Sequence, residues 1–287
     1  LSIVSDVINY ERRGTAMGTM STSFSIASIA GVPLSLFLAS HFDWHAPFFF
    51  LACSSIFVMY FVVRYIPKLD SHLHHKKQTN YLGPLTEIFQ NKTQVSSLIF
   101  MFVLMLSHFA IIPFISPSLV ANAGIAENHL PLIYLVGGFC SIVSGPLIGK
   151  LSDLKGKARV FQISLILSII PIYLITHQAL APTYLILMTA GLFFVSAGAR
   201  MIPANTLVSS AATAEQRGSF MSILSCVQSL SMALGAWIAG QIIVKNSTTG
   251  YLENYPRVGY FAIATSLVSL FLLQKIKHLD TKRTVTS

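Results

Sequence analysis

Few side chains in this sequence can do chemistry, and those that can stand out by where they sit. Asp153 lies in Gly149-Lys-Leu-Ser-Asp153-Leu-Lys155-Gly156-Lys157-Ala-Arg159, one carboxylate among several cations and two glycines. It is either a solvated loop residue or a helix-end carboxylate engaged with positive charge. His108 stands in the middle of an apolar run, between Ser107 and Phe109. An imidazole there can carry a proton near neutral pH, or it can be a satisfied core histidine. Arg200 lies late in another apolar run. Such an arginine is costly and functional by default unless its head snorkels to the nearby surface. Gly198, Pro203 and Asn205 around it suggest a loosened helix lining a cavity. Gln228 is a further polar candidate.

Other chemistries find no residues. Cys53, Cys140 and Cys226 each sit in an apolar run without metal-ligand spacing, so neither a disulfide nor a metal centre is expected. His72, His74 and His75 form a tract that reads either as metal-binding or as part of a solvated, cationic linker. No His-Glu-x-x-His, Gly-x-Ser-x-Gly or phosphate-loop motif occurs, and the apolar runs hold no carboxylate. The expectation is therefore not an enzyme, with no cofactor.

The elements that must position these residues are membrane spans. Apolar residues make up 53% of the 287 positions and charged residues 10%, against about 25% charged in soluble domains. Runs free of Asp, Glu, Lys and Arg predict eight helices, near 17–40, 46–66, 95–120, 130–149, 160–177, 182–207, 219–244 and 257–275. The net charge of +9 does not point to nucleic acid, because the cations cluster between the runs and no nucleic-acid motif accompanies them. Of the 19 Lys and Arg, all but Lys245 and Arg257 fall on one side of this topology. By the positive-inside rule that side, with both chain ends and the loop 67–93, is cytoplasmic. Within that loop Leu82–Phe89 reads as a short helix lying on the membrane surface.

An internal repeat organises the spans. Glu11–Gly31 aligns without a gap on Glu215–Gly235, with seven identities: Glu11/Glu215, Arg13/Arg217, Gly14/Gly218, Met17/Met221, Ser21/Ser225, Ser25/Ser229 and Gly31/Gly235. Both copies open a span from the same side, as in parallel repeats of two six-helix halves. The repeat spacing implies that about 110 residues precede Leu1 in the parent protein. The chain divides into 1–66, the remainder of a first bundle; 67–93, a central loop; 94–277, a second six-helix bundle; and 278–287, a tail.

The loop from Gly149 to Arg159 resembles the signature loop of the major facilitator superfamily, Gly-x-Leu-x-Asp followed by basic residues around a glycine. Asp6 with Glu11-Arg-Arg-Gly14 resembles that family's loop between helices four and five, so Asp6, Arg13 and Gly14 form the repeat-equivalent loop. The likeness covers the whole chain and is nearest to bacterial drug- and sugar-efflux permeases. It departs from the pattern at Leu154, where a basic residue is usual. The antiporter signature of the fifth helix is also reduced, to Gly31-Val-Pro33-Leu-Ser35.

The resemblance implies an all-α membrane protein of the major facilitator fold, carrying the equivalents of helices five to twelve. It implies a latch of Gly149, Asp153, Gly156, Lys157 and Arg159, drawn to the helix start at Arg217 and Gly218. It makes His108, Arg200, Asn205 and Gln228 cavity-lining candidates. The function it implies is export of a small organic molecule by alternating access, with protons as the coupling ion. A sugar or metabolite symporter, or a receptor that no longer transports, are the alternatives. The partners would be that substrate, protons and the lipid bilayer of a bacterial cytoplasmic membrane, with the protein a monomer.

Overall fold

Inside a bilayer each backbone N–H and C=O must find a partner within its own segment, so long charge-free runs become helices. The computed structural model describes residues 8–65, 83–213, 216–277 and 279. Asp6, the histidine tract at His72, His74 and His75, Glu215 and the tail beyond Leu279 lie outside the described residues.

The first run forms α1 (Tyr10–Ile26), a π-helical turn (Ala27–Gly31) and α2 (Val32–His41). Pro33 has no N–H to give to the preceding turn, and the helix widens just before it. Then come α3 (Ala46–Tyr65), α4 (Gly83–Gln90), α5 (Lys92–Ala121), α6 (Leu130–Lys155), α7 (Lys157–Thr176), α8 (Thr183–Ser209), α9 (Arg217–Ile242) and α10 (Tyr255–Ile276). Seven of these helices, α3 and α5–α10, are long and apolar enough to cross a membrane. The run 10–41 supplies an eighth helical segment in two pieces.

α5 starts before its charge-free run because its first turn carries a polar cap. Asn91 accepts hydrogen bonds from the Thr93 and Gln94 N–H groups at 3.0 and 3.3 Å, so α5 starts at Lys92. Between α9 and α10 the chain makes a small hairpin, β1 (Val244–Lys245) against β2 (Leu252–Glu253). The side-chain amide of Asn122 at the end of α5 donates to the Leu252 carbonyl at 3.0 Å and accepts from its N–H at 2.8 Å. That pair ties the hairpin to the bundle in the manner of a further strand.

Helices α5–α10 form the main bundle. The central helix α5 packs on α9 and α10, α8 packs on both α6 and α7, and α10 also meets α7. Two apolar clusters fill it. One, at the basic end, is built around Phe100, Phe161, Phe220 and Leu273. The other, at the far end, is built around Ile111, Leu119, Phe193 and Val258. The short helix α4 is not simply laid on the membrane surface. Ile88 is fully buried in the basic-end cluster, and Glu87 accepts a hydrogen bond from the Gln216 amide at 2.6 Å. α3 buries none of its residues and leans on α2.

α1 packs along α6, and four glycines make the contact possible. Gly14-x-x-x-Gly18 faces Gly145-x-x-x-Gly149, so the two backbones touch where side chains would otherwise hold them apart. A Cβ on Gly18 would collide with the Gly145 carbonyl, and one on Gly149 with the Gly14 carbonyl. A Cβ on Gly145 would lie 3.1 Å from the Gly18 carbonyl, tight but nearer to tolerable. Thermal unfolding in detergent should therefore rank the alanine variants. Gly18→Ala and Gly149→Ala should each cost about 1–3 kcal/mol, with Gly145→Ala costing less. Gly198→Ala in α8 meets nothing within 4 Å, and should be neutral or stabilising by up to about 1 kcal/mol. Equal effects at all four positions would refute the crossing.

Candidate functional site

Two polar sites emerge from this packing. The first lies at the basic end, where the last turn of α6 meets the first turns of α1. Asp153 Oδ1 accepts from the Gly14 N–H at 2.9 Å. Its Oδ2 accepts from the Thr15 N–H at 2.7 Å and from Thr15 Oγ1 at 2.8 Å. The carboxylate thus meets the second turn of α1 and reads two consecutive amides. Gly14 must be glycine for this approach, since a Cβ would lie 2.6 Å from Asp153 Oδ1.

Lys157 completes the site. Its Nζ lies 3.2 Å from Asp153 Oδ1 and 4.0 Å from the centre of the Tyr10 ring, and the residue is only 3% exposed. Gly156 makes that geometry possible. Its φ of 87° ends α6 and starts α7 at the next residue, folding Lys157 back over Asp153. Arg13 is also buried; it donates to the Ile8 carbonyl at 3.3 Å and lies over Tyr10.

The geometry corrects the expected partner. Asp153 is drawn to the start of α1, not to Arg217 and Gly218. Arg217 opens α9, which packs against α5, and nothing lies within 4 Å of a Cβ placed on Gly218. The repeat gives both helix starts the same Arg-Gly pair, and only the packing of α6 along α1 selects between them. Arg159 leaves the set as well: it is exposed and has no polar partner among the described residues. Thr15, Tyr10, Gly18 and Gly145 belong to the site and were not anticipated. The paired four-residue glycine spacing was the available signal.

The second site lies inside the main bundle, where α5, α8 and α10 meet. Arg200 is 1% exposed. It donates from Nη1 to Ser266 Oγ at 3.3 Å, and its Nη2 lies 3.5 Å from His108 Nδ1. Ser107 Oγ is 2.6 Å from Ser266 Oγ and donates to the Ala262 carbonyl at 2.8 Å. His108 stacks parallel to Phe193. The snorkelling reading of Arg200 is therefore wrong: the head points into the bundle, and its Nε has no hydrogen-bond partner among the described residues. No carboxylate faces it, since the described spans carry acidic residues only at their ends. Asn205 and Gln228 are half-buried on α8 and α9, and no polar contact joins either of them to this pair. The Asn205 Oδ1 is enclosed without a partner among the described residues.

Such an arrangement can hold and release charge, but it contains no nucleophile poised beside a base. Among the described residues no three His, Cys, Asp or Glu side chains are grouped to hold a metal. Two stretches of the chain, residues 1–107 and 97–285, match the sequence model of the Major Facilitator Superfamily.

The partner assignment is open to a double-mutant cycle on thermal unfolding. Asp153→Asn and Thr15→Val should couple by about 0.5–3 kcal/mol, as contacting residues do. Asp153→Asn and Arg217→Gln should add within about 0.5 kcal/mol. The reverse pattern would restore α9 as the partner.

Proposed function

The chain belongs to the Major Facilitator Superfamily and is a secondary transporter embedded in a membrane by its apolar helices; we propose that it exports a small organic molecule by alternating access. The observation that carries this reading is the Asp153 contact. It joins α1, which belongs to the first repeat, to α6 in the second, at the end where the cations collect. A tie across two halves at one membrane face closes that face. Its release lets the halves part, which is the two-state element alternating access requires. The likeness of the Gly149–Arg159 loop and its surroundings to efflux permeases supports the outward direction.

The basic end faces the cytoplasm in this proposal, as the charge asymmetry requires. The interior pair takes the coupling role. His108 is the imidazole placed within a described span, and a proton arriving there would set two cations side by side and break its contact with Arg200. The pair then changes the packing between α5 and α8 when it titrates, so proton movement and helix movement share one joint.

Four measurements test this reading in cells and vesicles carrying the full chain. Ethidium and a radiolabelled disaccharide serve as drug-like and sugar-like probes, and export should lower the accumulation of one of them. Asp153→Asn should cut that flux by up to about 30-fold, because an interaction of up to about 2 kcal/mol at a helix end shifts a two-state balance by that factor. It should also raise labelling of an Ala16→Cys probe at the closed end; normal flux with unchanged labelling would remove the latch. His108→Gln should flatten the pH dependence of the flux, and a preserved pH profile would remove the proton role. Finally, Lys155→Cys should label from the cytoplasm and Asn246→Cys from outside, and the opposite pattern would invert the topology.

A further inference from the structure

At the basic end, away from both sites described above, the first turn of α5, the last turn of α10 and the end of α4 border an open surface groove of about 510 Å³. Lys92, Thr93, Val95 and Ser96 line it from α5, Lys275 from α10 and Phe89 from α4. Its chemistry is divided. Lys92 and Lys275 are exposed and have no ion-pair partner among the described residues. The Thr93 and Ser96 hydroxyls likewise donate to nothing described, and no acidic side chain lines the pocket among the described residues. Phe89 is 62% exposed although its neighbour Ile88 is fully buried, so α4 anchors one side chain in the bundle and turns the next one outward.

The level of the pocket matters as much as its lining. Lys92 begins a spanning helix and Lys275 ends another, so both ammonium groups stand where hydrocarbon gives way to headgroups. Deeper along the same two helices the surface becomes apolar and open: Ile99 is 48% exposed on α5 and Phe271 71% exposed on α10. Two cations and two hydroxyls above, with exposed apolar side chains below on adjoining helices, match a molecule with an anionic head and acyl chains.

We propose that this pocket binds the headgroup of an anionic phospholipid, with the acyl chains lying along Ile99 and Phe271. The phosphate is received by Lys92 and Lys275, its remaining oxygens by Thr93 and Ser96, and Phe89 covers the glycerol region. A free phosphate would use the cations and hydroxyls but not the apolar surface below them. The proposal concerns the membrane setting of the protein and does not depend on what it transports or in which direction.

The test uses the purified full chain in a neutral detergent, with native mass spectrometry reporting bound lipid. Phosphatidylglycerol should be retained, and phosphatidylcholine with the same chains should not. Inorganic phosphate should compete weakly. Replacing both lysines, Lys92→Gln with Lys275→Gln, should weaken phosphatidylglycerol binding by about thirty-fold, following the usual contribution of a lysine near an anionic surface. Lys150→Gln with Lys155→Gln, which removes the same charge from the same end of the bundle, should change it less than about twofold if binding is local rather than diffuse. Ser96→Phe, which fills the pocket and leaves the charge alone, should weaken binding as the lysine pair does. Equal retention of phosphatidylcholine, equal loss in the two lysine pairs, or full displacement by inorganic phosphate would each overturn the proposal.

Discussion

The basic end of this protein depends on how closely two backbones can approach. A side chain at Gly14, Gly18 or Gly149 would push α1 away from α6, and one at Gly145 would be tight against it. Only at backbone contact does the last turn of α6 reach the first turns of α1, and only then can a side chain as short as that of Asp153 span the gap to two amides. The glycines come first in this order of causes and the carboxylate second. The lysine is third: Lys157 can fold back on Asp153 because Gly156 adopts a backbone conformation that other residues resist. The contact unites pieces that are weak alone. In a lipid environment there is little hydrophobic drive between helices, so small residues and polar ties decide which ones associate.

Much of the scaffold was legible in the sequence because membranes leave so few choices. A run without charge for twenty residues has to be a helix if it crosses hydrocarbon, and seven such helices stand where the runs lie. Asp153 was legible as well, since a lone acid among glycines and cations is conspicuous in a chain with so little charge. Its partner was not. Arg13-Gly14 and Arg217-Gly218 are equivalent by the repeat, and pattern alone gives no reason to prefer one helix start. What decides is a tertiary fact, the packing of α6 along α1, whose trace in the sequence is a pair of four-residue glycine spacings too common to notice singly. The hairpin at Val244–Glu253 was illegible for a different reason: two-residue strands held by one asparagine side chain have no periodicity to detect.

Arg200 shows how depth along a helix can mislead. Counted along the chain it stands close to the basic end, and a long side chain there could reach water. What the count omits is the direction in which the side chain leaves the helix. Arg200 leaves α8 toward α5 and α10, where Ser266 and His108 receive its head, and water at the membrane surface lies on another side. A guanidinium placed there without a carboxylate is costly, more so than the same group at a surface. Ser266, itself hydrogen-bonded to Ser107, and the His108 imidazole soften the cost by hydrogen bonding without supplying an opposite charge.

The two sites are mechanically connected through the helix that carries Arg200. α8 packs on α6, which bears Asp153, and also touches α1, which receives it. If α1 and α6 separate as the proposed latch opening requires, α8 would lose its seat on one of them and would have to bend or shift. Around Arg200 it is built to do so. Gly198 has open space beside it, and Pro203 cannot donate to the Ala199 carbonyl four residues earlier, so the helix lacks one of its own bonds within a turn of the arginine. Motion arising at the basic end would therefore be taken up where the buried cation sits. It would alter the distance between Arg200 on α8 and His108 on α5, a contact already at the outer limit for a hydrogen bond at 3.5 Å. A contact at that limit responds to small displacements, so under the proposed mechanism the opening of the latch would reach the interior pair through a single helix.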